Sequence, residues 1–277
     1  MSCRDLLCVI DAPDGALTPA FHQALALARA GGDALTTLVV ARLSVAPGGA
    51  FGSAAVGAAI HAANDASRAA AATISRAAED AARGASPRLT IETLEATLAE
   101  AAASLARRGR CADLIVVDRP GGALESREAL FEAALFETGR PVLVATPERT
   151  ASRVGHIALA WDGSRIAARA LGDALALFPA ITQVDVLVVE SDKTASPAVA
   201  PVHVARHLAR RGVDANVINI PRIGGSVSVA LDQAARAAAA DCLVLGGFGH
   251  SRLREFVLGG VTRDLARAAA IPLLFSH

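Results

Sequence analysis

Between Gly246 and Gly260 the chain places five glycines in fifteen residues, as Gly246-Gly247-Phe248-Gly249-His250 and then Gly259-Gly260. Glycine lets backbone amides approach a ligand closely and turn with positive φ. Upstream, Asp241-Cys242-Leu243-Val244-Leu245 is a short apolar run of the kind that forms a parallel strand, and Val261 to Ala270 reads as a helix. A helix start presents unpaired N–H groups and the positive end of a dipole to an anion. Strand, glycine loop and helix together describe a phosphate cradle. The competing reading, in which the glycines serve only tight turns and close helix packing, stays open from these residues alone.

A second group belongs beside that loop. Asp162 closes the apolar run Ile157 to Trp161, and in open parallel sheets ligands sit beyond the carboxyl ends of the strands where strand order reverses. Asp162 and Gly246 therefore open on one crevice. His250 lies in the glycine loop and either meets a phosphate or shapes the loop by a hydrogen bond. His203 and His207 share a helix face, but with no third ligand nearby and no H-E-x-x-H frame they read as a solvated face. Trp161 reads as a packed aromatic, and Asp11 as a turn or cap residue. Neither a Walker loop nor a G-x-G-x-x-G after a first strand is present.

Composition narrows the classes further. The 277 residues carry 27 basic and 27 acidic side chains and no tyrosine, which excludes the basic, aromatic footprint of a nucleic-acid binder. Mean hydropathy of +0.41 comes from alanine. The alanine-rich helix expected over Ala54 to Ala82 is broken by His61, Asn64, Asp65, Arg68 and Arg76, so no membrane span is expected. The run after Arg4 and Asp5 is too short for a signal peptide, which points to a cytoplasmic protein. The four cysteines lack metal-knuckle spacing and read as reduced, mostly buried thiols.

The elements that must position the crevice occur twice. Leu6 to Asp11 answers to Ile157 to Asp162, Ala24 to Leu27 to Ala174 to Leu177, Ala112 to Val117 to Ala240 to Leu245, and Pro141 to Val144 to Pro272 to Phe275. Apolar runs alternate with helical stretches in each copy, the pattern of a helix-covered parallel sheet. The polar stretch Thr146 to Arg153 suggests a linker, giving domains 1–150 and 151–277. In the first copy Asp118 stands where the second has Gly246, Pro120 removes a donor, and nothing answers to Gly259. That copy is not expected to bind a nucleotide.

The spacing Gly246-x2-Gly249-x9-Gly259, read with Asp162, resembles the nucleotide-binding motif of the universal stress protein family, of the UspA type. The order of elements extends the resemblance over both halves. It implies an α/β fold of two tandem five-stranded parallel-sheet domains, of the adenine nucleotide alpha hydrolase-like type. It also implies a stress-response protein that binds ATP, with magnesium as an accompanying ion, at Asp162, Gly246, Gly249, His250, Gly259 and Gly260. Gly260 departs from the serine or threonine of the family's binders, at a cost of roughly 1.5–3 kcal/mol for one hydrogen bond to a charged group. Ser251, Arg252, Arg254 and Arg263 are placed to compensate. Terminal strands Pro141 to Val144 and Pro272 to Phe275 should pair within the chain as a pseudo-dimer; homodimerisation and the protein partner stay open. No catalytic base or metal clamp is expected, so binding is favoured over turnover. A slow ATP hydrolase and a scaffold that binds no nucleotide are the alternatives.

Overall fold

A computed structural model describes residues 4–45, 54–83, 88–121, 125–189, 200–221, 226–247 and 260–277. The chain divides into two compact units, Met1–Thr138 and Gly139–His277. The first contains β1 (Asp5–Ile10), α1 (Pro19–Gly31), β2 (Ala34–Arg42), α2 (Ala54–Ala82), β3 (Arg88–Ala96), α3 (Leu98–Gly109), β4 (Leu114–Asp118) and α4 (Glu125–Glu137). Its strands run in the order β3-β2-β1-β4, and all of these pairs are parallel.

The second unit contains β5 (Val142–Ala145), β6 (His156–Ala160), α5 (Arg165–Leu177), β7 (Gln183–Val189), α6 (Pro201–Ala209), β8 (Asp214–Ile220), α7 (Val227–Ala237), β9 (Cys242–Gly246), α8 (Gly260–Ala268) and β10 (Leu273–Ser276). The order is β5-β10-β9-β6-β7-β8, parallel throughout except for β5. β5 runs antiparallel to β10 with Leu143 opposite Leu274, the pairing of terminal strands that the sequence leads one to expect. The fifth strand of the first repeat thus lies in the second compact unit. The polar stretch after it is fastened there too. Arg149 donates to the Ala240 carbonyl at 2.7 Å and to Asp241 at 2.8 Å, and Asp241 also accepts from the backbone of Gly155 and His156.

Burial follows from strand position. Interior strands such as β1 and β9 read as nearly unbroken buried apolar runs, whereas β3 and β8 alternate exposed and half-buried residues. Leu6, Leu35 and Leu114 in the first unit, and Ile157, Val186 and Phe275 in the second, are fully buried. Each contributes about 1.5–3 kcal/mol of transfer free energy. Helix starts are set locally. Pro19 opens α1, and at α3 Thr97 and Glu100 form a reciprocal capping box in which the Glu100 carboxylate accepts from the Thr97 N–H at 2.9 Å. Among the described residues no helix is long and apolar enough to cross a membrane.

Candidate functional site

In the second unit the chain leaves β6 to build β7 and β8 on one side and returns through β9 and β10 on the other, so strand order reverses between β6 and β9. Leu159 pairs with Val244, and this register brings Trp161 and Asp162 off the end of β6 as Gly246 and Gly247 come off the end of β9. Asp162 is exposed, and its Oδ1 accepts from the N–H of Ser164 at 2.9 Å. Ser164 then caps α5 by accepting from the Ala167 N–H at 3.1 Å. Trp161 is buried.

The two described ends of the glycine motif differ in kind. At Gly246 a Cβ would stand 2.7 Å from Ile166 Cγ2 and 3.0 Å from the backbone nitrogen of Ala167. The first turn of α5 can approach β9 only because no side chain is there. At Gly260, the first residue of α8, a Cβ would meet nothing within 4 Å among the described residues. Thr262, two residues on, is buried. Gly249, His250 and Gly259, with Ser251, Arg252 and Arg254, lie outside the described residues.

The corresponding reversal in the first unit lies between β1 and β4 and is closed by its own side chains. Asp118, the last residue of β4, is 7% exposed, and its Oδ1 accepts from the Ala20 N–H in the first turn of α1 at 2.9 Å. A protein carboxylate thus occupies the anion position at a helix start. Asp11 is not a turn or cap residue but a buried carboxylate, 5% exposed, at 3.7 Å from Arg42 and with no hydrogen bond to its Oδ2. Asp11, Asp118 and Arg127 line a cavity no larger than a water molecule, walled by Val9, Val117 and Leu130. Burial pushes the Asp118 carboxyl above the ordinary carboxylate range and the Asp11 charge adds to this, against the Ala20 N–H, the Thr18 hydroxyl and Arg127. The sequence shows only that both aspartates directly follow apolar runs; their meeting with each other and with Arg42 is tertiary.

The remaining candidates are structural. His203 and His207 are exposed on α6. Cys8 and Cys242 are fully buried free thiols. Burial, with Asp118 behind it, raises the Cys8 thiol well above its ordinary value, and burial carries Cys242 up to about 12, so neither ionises at neutral pH. Among the described residues no group of three or more His, Cys, Asp or Glu side chains could hold a metal ion.

Residues 153–277 match the model of the universal stress protein family. The whole chain also superposes on solved structures of that kind. A universal stress protein from Archaeoglobus fulgidus DSM 4304 is 15% identical with a TM-score of 0.66, covering 99% of this chain and 96% of its own. A Pseudomonas aeruginosa UCBPP-PA14 protein described in the same terms is 16% identical with a TM-score of 0.57, covering 99% and 93%. Among proteins of curated function none matches.

Proposed function

We propose that the chain, whose residues 153–277 match the model of the universal stress protein family, is a stress-response protein whose second unit binds one ATP-type nucleotide. The observation that carries the reading is positional. The glycine motif begins at Gly246, at the reversal of strand order, and ends at Gly260, the first residue of a helix, where a Cβ would meet none of the described residues within 4 Å. In this reading the phosphates rest on the loop between these glycines, and Asp162 serves the base and ribose. Any magnesium would arrive on the phosphates. The first unit takes no nucleotide, because Asp118 already fills its helix start. The role in this reading is binding rather than turnover: Asp162 is exposed, and its carboxylate is engaged by the Ser164 N–H.

A second reading, a scaffold acting through protein contacts alone, is favoured by Gly246, whose missing side chain is already explained by the packing of α5. Titration calorimetry of the full chain with ATP separates the two. One site per chain, weakened by Asp162→Ala, is expected. Absence of binding would leave the scaffold, and two sites per chain would refute the assignment to the second unit.

A further inference from the structure

Ser276, Gly246 and the start of α5 share one face of the second unit's sheet. Ser276 stands opposite Gly246 in the parallel pairing of β10 with β9, and residues at one level of adjacent strands project to the same side. That side is identified by Gly246, where a Cβ would run into Ile166 and Ala167 of α5. The Ser276 hydroxyl is therefore directed toward the first turn of α5. It is fully buried, at 0% exposure, and its Oγ has no hydrogen-bond partner. A buried hydroxyl left unpaired is a cost that folded proteins rarely carry without a reason.

The helix start it faces is also incompletely paired. The Asp162 carboxylate takes the Ser164 N–H, and the Ser164 hydroxyl takes the Ala167 N–H. Among the described residues no group accepts from the N–H of Arg165 or Ile166. These are two of the orphan donors that every helix presents at its N-terminus, where the dipole favours negative charge. Arg165 and Arg169 lie one turn apart on α5, and their positive charge reaches the end of β10, where it acts with burial to lower the basicity of His277.

We propose that the Ser276 hydroxyl and the N–H groups of Arg165 and Ile166 form a site for a phosphate-class oxyanion, with Arg165 supplying charge at its edge. The identity of the phosphate rests on the nucleotide reading above: Ser276 contributes from β10 the hydroxyl that Gly260 cannot contribute from α8. Inorganic phosphates offer the same chemistry, so the test includes them.

Calorimetry of the full chain with ATP, adenosine and inorganic pyrophosphate, on wild type, Ser276→Ala and Ser276→Thr, decides the matter. Ser276→Ala should weaken ATP and pyrophosphate about tenfold or more, as expected for one hydrogen bond to a charged group, and leave adenosine unchanged. Ser276→Thr keeps the hydroxyl and should bind like wild type. Without ligand, Ser276→Ala should melt about 2–4 °C higher, since it deletes an unpaired buried hydroxyl and little else. If wild type binds ATP and Ser276→Ala binds it equally well, the oxyanion site falls and the nucleotide reading stands. If wild type binds pyrophosphate in a Ser276-dependent way but not ATP, the site stands and the nucleotide reading falls. Binding of neither overturns both.

Discussion

The ends of β1 and β4 in the first unit and of β6 and β9 in the second occupy the same place in two copies of one topology, and they solve the same electrostatic problem in opposite ways. In each, the first turn of a helix lies against the last residue of a neighbouring strand. In the first unit that residue is Asp118, whose carboxylate accepts from Ala20, with Arg127, Arg42 and Asp11 around it. In the second it is Gly246, with no side chain, and α5 moves in against the bare backbone. One copy supplies its own anion, and the other leaves the helix start to be completed by something else. A duplicated fold can thus keep its shape in both copies while keeping a potential anion site in one, because a single side chain at the end of the fourth strand decides whether the position is filled.

The comparison breaks most severely at Gly246. Valine there places its Cβ within 3.0 Å of α5 backbone atoms, which cannot rotate aside as a side chain could. Gly246→Val should cost about 3 kcal/mol, the upper range for overpacking, measured as a lower urea midpoint for the second unit's transition. An unchanged midpoint would show that α5 does not rest on this glycine as described.

A smaller effect, with a pH signature, is expected at Asp118. Because the folded chain holds the Asp118 proton more tightly than an unfolded aspartate does, the folded state binds the extra proton between the ordinary carboxylate pKa and the raised one. Stability therefore falls as pH rises through that window and is regained on acidification. Asp118→Asn keeps an oxygen for the Ala20 N–H but has no charge to bury. It should be more stable than wild type above the window and should lose this part of the pH slope. Urea denaturation of both proteins from about pH 4 to pH 7 tests the claim; parallel curves would remove Asp118 as the source.

Much of the fold was legible in the residues. Parallel strands covered on both faces must be apolar throughout, so Leu114 to Val117 and Cys242 to Leu245 announced themselves, and the duplication supplied the order of elements twice. The aspartate in place of Gly246 could be read as an obstacle to phosphate. Three things could not be read, each because its cause is tertiary. The need for a glycine at 246 comes from the approach of α5, which no local pattern encodes. The ion cluster at Asp11 depends on β2 and β4 bringing Arg42 and Asp118 to it. Ser276 looked like the polar end of a strand, and only its register with Gly246 turns it toward a helix start.

The smallest change to stability is expected at Gly260, and it sharpens the comparison within the second unit itself. The two glycines bracket the same motif, yet a Cβ at Gly246 collides while one at Gly260 meets none of the described residues within 4 Å. Gly260 is also the first residue of α8, where a side chain restricts the unfolded chain more than it disturbs the folded one. Gly260→Ser should therefore leave the protein as stable as wild type or more stable by less than about 1 kcal/mol. If the site takes a nucleotide, the new hydroxyl should tighten ATP about tenfold, one hydrogen bond to a charged group. Urea midpoints and ATP calorimetry on this one variant read the two effects separately. A loss of stability comparable with that of Gly246→Val would mean that both of these glycines are there for packing, and neither described end of the motif would then be free to serve a ligand.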